Sequence, residues 1–167
     1  TEQGALNIKG ASTDSRGVRQ LMLGGLYGEI ACDASFDFSS VPSRSAGAMT
    51  LSAFEPSATN TFIYIGGLFG HIERNAALTV VSPEWNSEIK VDASKANCAA
   101  MTFAVGGIVG GVGIVETSAA AAFGGHLTVS GAKVDGAINL ASNDKIALQL
   151  RTSGIGGVAG FVCIGGA

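Results

Sequence analysis

Apolar and polar side chains alternate with a period of two along short stretches of this chain. Leu6 and Ile8, Met49 and Leu51, Ile89 and Val91, and Ile138 and Leu140 point one way, while Asn7, Thr50, Lys90 and Asn139 point the other. The alternation returns in Leu21/Leu23, Ile63/Ile65 and Phe103/Val105, with Ile155 in the same place further on. It is seen again in Ser35-Phe36-Asp37-Phe38-Ser39 and Leu127-Thr128-Val129. This period marks an extended strand with one buried face, so each stretch predicts a short strand. Helical character is confined to Glu116–Phe123, with its run of alanines.

A spaced glycine motif accompanies the strands. The pattern G-G-[LIV]-x-G-x-[IV] occurs at 24–30, 66–72, 106–112 and 156–162, with successive starts 42, 40 and 50 residues apart. Its glycine positions are Gly24, Gly25 and Gly28; Gly66, Gly67 and Gly70; Gly106, Gly107 and Gly110; and Gly156, Gly157 and Gly160. They hold twelve of the 25 glycines, so the glycine is placed rather than spread as in a linker. A strand element starting at Gly4, Gly47, Ser87 or Gly136 precedes its Gly-Gly by 20, 19, 19 or 20 residues. The other half of each repeat varies, at 23, 21 and 30 residues, which puts an insertion at about 111–125. Stacked chain is held to length, whereas loops are not. Paired glycines directly after a strand suit a corner, where positive φ or close backbone approach excludes a Cβ.

Short strands at half-periods near 20 residues predict an all-β parallel β-helix or β-solenoid. It would have four glycine-cornered units of about 40 residues and form a single domain over 1–167. An α/β fold would need amphipathic helices between the strands, and a β-sandwich needs no repeating register. Carried through the corners, the alternation directs Met22, Tyr64 and Ala104, then Tyr27, Phe69, Val109 and Ala159, outward as an apolar stripe. Such a stripe is either a partner surface or lies beneath loops such as Ser39–Ala46 and Glu55–Asn60.

The last unit repeats the first, for Gly4 and Gly136, like Gly24 and Gly156, are 132 residues apart. Neither end reads as a cap, so the ends either continue into neighbouring repeats of a longer chain or stack head to tail. Cys32 and Cys163 lie three units apart, too far to bridge within one stack, and would meet only between head-to-tail neighbours. The alternative is that both, with Cys98, are small buried hydrophobes.

Composition narrows the function. Hydrophobic residues fill 47% of the 167 positions, enough for a core, while charged residues fill only 14%. A net charge of −3 with no basic run argues against nucleic acid as a partner. Thr1 to Arg19 is polar and does not read as a cleavable signal peptide. Met101 to Val115 is apolar but falls short of the roughly 20 residues that span a bilayer, so no membrane span is expected. Gly106-Gly107-Ile108-Val109-Gly110-Gly111 looks like a dinucleotide loop in isolation, yet the same glycines recur in three other units with no βαβ context.

Asp33, Asp37, Glu88, Asp92, Glu116 and Asp135 are the candidate acids of a carbohydrate-cleaving β-helix, but they form no repeated column. His71 and His126 fall in different half-units, so neither a metal pair nor a cofactor is expected. No residue is assigned a catalytic role. The outward row Asn7, Thr50, Lys90 and Asn139 is too mixed for the flat threonine ladder of an ice-binding face.

Gly-Gly-[LIV]-x-Gly after an apolar strand, in four copies over most of the chain, resembles the GLUG-type repeat. That repeat, named for its Gly-Leu-x-Gly core, occurs in bacterial surface adhesins and in non-catalytic parts of immunoglobulin A peptidases. Lys95-Ala96-Asn97-Cys98 is similar to the Asn-Cys of such repeats. The resemblance implies a β-solenoid stalk or surface module of a secreted or cell-surface protein. Peptidase activity is not implied, because the sequence has no His-Glu-x-x-His. The chain departs from the pattern in the insertion of its third unit and at Ser153 and Gly154, which stand where apolar residues are expected.

Pattern and resemblance together lead to one expectation: a non-enzymatic extracellular structural or adhesive module. It would self-associate head to tail into a filament, or laterally, and a host or glycan ligand is compatible with it. A carbohydrate-binding or carbohydrate-cleaving β-helix and a viral or phage fibre domain are the alternatives.

Overall fold

The computed structural model describes residues 6–9, 20–31, 33–39, 44–45, 47–52, 61–73, 75–92, 101–115, 122–141 and 150–162. Among them the fold is all β, with no helix. Five parallel sheets each take one strand from successive repeats, an arrangement consistent with a β-helix or β-solenoid. In chain order, the first sheet holds Leu6–Lys9, Met49–Ser52, Glu88–Asp92 and Ala137–Ala141. The second holds Gln20–Gly24, Thr61–Gly66, Met101–Gly106 and Leu150–Gly156. The third holds Tyr27–Ile30, Phe69–Ile72, Val109–Val112 and Ala159–Val162. The fourth holds Ser35–Phe38, Ala77–Val81 and His126–Ser130. The fifth pairs the short strands Arg44–Ser45, Glu84–Trp85 and Lys133–Val134.

The register is the one the repeat predicts. Leu6, Met49, Ile89 and Ile138 are rung partners, and so are Gly24, Gly66, Gly106 and Gly156. The ladder also continues through the glycine bends. Leu26 N–H donates to the Leu68 carbonyl at 2.9 Å, Leu68 N–H to Ile108 at 3.1 Å, and Ile108 N–H to Val158 at 3.0 Å. Backbone groups that a corner would orphan are therefore satisfied by the next unit.

The inward faces of the first, second and fourth sheets follow the alternation. Met49, Leu51, Ile89 and Val91, then Ile63, Ile65, Phe103 and Val105, and then Leu78 and Val80 are all buried. The indole of Trp85, from the fifth sheet, lies against Gly67, Gly107 and Gly136, where any Cβ would come within 2.6 Å of its ring. That ring belongs to the buried hydrophobic core.

The apolar stripe departs from expectation. Tyr64 is 2% exposed, and Phe69 and Val109 are 0% exposed. Two causes act. The third sheet lies against the outer face of the second, so Tyr64 stacks on the His71 ring with centroids 4.2 Å apart. Phe69 turns the other way, toward Phe38 of the fourth sheet, at 5.7 Å. Counting alternate residues through Gly-Gly carries the phase across a bend that does not preserve it. Met22 is half-buried, and Tyr27, although 42% exposed, belongs to the ring cluster of Phe36, Phe38 and Phe69.

Ile114–Val115 and Ala122–Phe123 pair antiparallel between the third and fourth sheets of the third unit. Of the stretch with helical character, Ala122 and Phe123 are thus in a strand, and 116–121 lie outside the described residues. The strand before the fourth copy forms despite Ser153 and Gly154, with a register shift opposite Met101/Thr102. Gly154 is required there, because a Cβ would lie 1.9 Å from the Gly160 carbonyl oxygen of the third sheet.

Candidate functional site

The three glycines of each motif meet different obstacles. A Cβ on the first, at Gly24, Gly66, Gly106 or Gly156, would sit 1.8 to 2.1 Å from the carbonyl oxygen three residues on. Here the bend itself demands glycine. The third glycine faces along the stack: a Cβ on Gly70 would reach the Gly28 oxygen at 2.3 Å, and one on Gly110 the Gly70 oxygen at 2.5 Å. Gly28 and Gly160 are likewise hemmed by second-sheet backbone, at Met22 and Val105. The second glycine faces the next unit and the core. Gly67 opposes the Gly107 oxygen at 2.0 Å, and Gly107 opposes the Gly157 oxygen at 2.2 Å. Gly157 breaks the series, for the nearest atom to its Cβ is Val134 Cγ1 at 3.8 Å.

The candidate acids fall on different strands and corners, Glu88 and Asp92 excepted. Glu88 and Asp92 share one strand and, four residues apart, are separated by about 13 Å along it. That exceeds the roughly 5 to 9.5 Å between paired carboxylates of glycosidases. Asp37 is on the fourth sheet, where Ser39 hydrogen bonds, including its N–H at 2.8 Å, hold the carboxyl below the usual carboxylate range. A carboxyl shifted in that direction is unsuited to donating a proton. Asp33 is at a left-handed corner with φ 61°, Asp135 follows the fifth sheet, and Glu116 is outside the described residues. His126 is exposed on the fourth sheet while His71 is buried in the third, and no metal-ligating cluster occurs among the described residues. Cys32, Cys98 and Cys163 lie outside the described residues.

His71 links three units. Its Nε2 donates to the Gly113 carbonyl oxygen at 3.0 Å, and its Nδ1 lies 3.3 Å from Glu29 Oε1. The side chain thereby fastens the third sheet across the stack. Neither this link nor the buried place of Trp85 is evident from the alternation. The signal for Trp85 is a single large ring in a chain whose facing positions are glycine.

Two surface features remain. A groove of about 500 Å³ opens at the C-terminal ends of the first-sheet strands, beside Thr50, Lys90 and Asn139 and walled largely by apolar surface of Leu51, Val91 and Leu140. Asn139 Nδ2 donates to Glu88 Oε1 at 2.6 Å on the same outer face. The second feature is the pair of stack ends. Among the described residues the large exposed hydrophobics are Leu26, Tyr27, Leu140, Ile155, Val158 and Val162, all in the first or last unit. No helix among those residues is long and apolar enough to cross a membrane.

Comparison with family models, curated proteins and solved structures finds no match to this chain.

Proposed function

We propose that the chain is a non-enzymatic structural module of a secreted or cell-surface protein, a β-solenoid serving as a stalk or adhesive segment. The observation that carries this reading is the rung-to-rung register, which continues from the strands through the glycine bends, with one shift opposite Met101/Thr102. Such a ladder repeats one backbone geometry from unit to unit and places the candidate acids on different strands and corners, Glu88 and Asp92 excepted. The likeness of the four Gly-Gly-[LIV]-x-Gly segments to the GLUG-type repeat supports the same conclusion. Hydrogen exchange on the purified protein tests the architecture: the slowest amides are expected in Ile63–Ile65 and Phe103–Val105, which have strands on both sides. Fast exchange throughout those strands would sink the stacked reading.

A second reading, glycan binding, is favoured by the groove beside Thr50, Lys90, Asp92 and Asn139. A polysaccharide panel separates the two. The structural reading expects neither retention nor release of reducing ends, whereas retention weakened by Asn139→Ala favours the glycan site.

A further inference from the structure

We propose that the two ends of the stack are complementary docking faces for further copies of this chain, joined head to tail. The Ile155–Val158–Val162 face of one copy would then receive the Leu26–Tyr27 face of the next. The proposal rests on the stacked structural module above and names its partner.

Position selects these residues more sharply than exposure does. Ile155 is 56% exposed, while its rung partner Val105 is fully buried. Val162 continues the buried column of Ile72 and Val112, Val158 that of Leu68 and Ile108, and Leu140 that of Leu51 and Val91. At the opposite end Leu26 and Tyr27 begin the columns that Val158 and Ala159 close. The exposed apolar groups are therefore core positions lacking only the next rung.

Glycine 157 gives an independent argument. In each inner unit the second motif glycine is required because the next unit's glycine carbonyl stands about 2 Å from the Cβ position. At Gly157 nothing among the described residues requires glycine, and its φ is not positive. A next copy in the same register would put its Gly25 carbonyl there and restore the requirement.

Size and phase also match. The column Tyr27, Phe69, Val109, Ala159 shrinks from ring to methyl, so the seam sets the largest member on the smallest. The column Met22, Tyr64, Ala104, Gly154 likewise ends on glycine. Ala137–Ala141 (Ala-Ile-Asn-Leu-Ala) has the apolar phase and central Asn of Leu6–Lys9 (Leu-Asn-Ile-Lys), so the first sheet can continue in register. Sheet edges are usually blunted with charge. Here the end strands Ala137–Ala141 and Ala159–Val162 carry no charged residue, and Leu150–Gly156 carries one, Arg151. A contact between unlike ends does not close on itself, and it generates open filaments.

Sedimentation velocity and negative-stain microscopy of the purified chain are expected to find an open-ended series of oligomers that grows with concentration. Gly157→Ala, which has room in the isolated chain, is expected to keep the circular dichroism of the parent and to sediment as a monomer. Leu26→Glu blocks the other face and should do the same. Mixed in equal amounts, the two should form a 1:1 dimer and nothing larger, because each retains one intact end of opposite kind. A parent chain that stays monomeric at every concentration, with its β spectrum and slow amides intact, overturns the assembly and leaves the module standing. Dimers of either variant alone would mean that like ends meet, and would overturn the head-to-tail arrangement. Should Leu26→Glu lose its β spectrum, Tyr27→Lys takes its place in the mixture.

Discussion

At Gly66 an added methyl would lie 1.8 Å from the Phe69 carbonyl oxygen and 2.6 Å from Gly110 N, both backbone atoms that cannot step aside. At Gly157, in the same motif, it would touch, among the described residues, only Val134 at 3.8 Å. Gly66→Ala is accordingly expected to cost more than about 3 kcal/mol in urea unfolding, and Gly157→Ala to stay within about 0.5 kcal/mol for the monomer. Equal costs would mean that the bend relaxes in a way its geometry does not suggest. Trp85 gives a second contrast. Its ring is 1% exposed and its Nε1 makes no hydrogen bond among the described residues, so the burial of its large apolar surface is offset in part by an unsatisfied N–H. Trp85→Ala should cost about 3 to 5 kcal/mol. Trp85→Phe should cost clearly less, because it keeps much of the ring and removes the orphan donor.

Between elements, the close fit of the second and third sheets is shared unequally among the units. Tyr64 and His71 are large, and their partners one unit on, Ala104 and Gly111, are small. A Cβ on Gly111 would meet Tyr64 Cδ1 at 2.2 Å, which means that the tyrosine ring leans into the space of the next unit. Gly111→Ala is expected to destabilise the parent and to do so far less in a Tyr64→Ala background. A double-mutant cycle should return a coupling of about 1 to 3 kcal/mol, and additivity would contradict the shared space. The hairpin of the third unit is the opposite case. Val112 to His126 spans 14 residues where Ile72 to Ala77 spans 5, yet the flanking strands keep register. Excising residues 114–122 restores the shorter spacing and should change stability by less than about 1 kcal/mol, measured as a urea midpoint.

For the whole molecule, stability should behave as a sum over units and the contacts between neighbours. A chain ending at Asp135 removes 32 of 167 residues and with them the last strand of three sheets. Its urea m-value is expected to fall by about a fifth, in proportion to buried surface, while the β spectrum persists. Complete unfolding would show instead that the last unit holds the others in place. The same linear logic puts the exposed apolar residues at the two ends. An inner unit buries its columns on both sides, and an end unit does so on one.

Much of this plan is legible along the chain. Strand alternation at Met49/Leu51, Ile63/Ile65 and Ile89/Val91, together with the spacing of Gly24, Gly66, Gly106 and Gly156, determines the β class and the register. Those signals are local, or they repeat at a fixed distance, and backbone sterics turn them directly into strands and bends. Only the tertiary structure decides which way Tyr64, Phe69 and Val109 face, that Trp85 fills the space left by Gly67, Gly107 and Gly136, and that His71 spans three units. Each of these depends on how sheets pack across a bend, where the period-two rule loses its phase and the distances between side chains no longer follow from their separation in sequence.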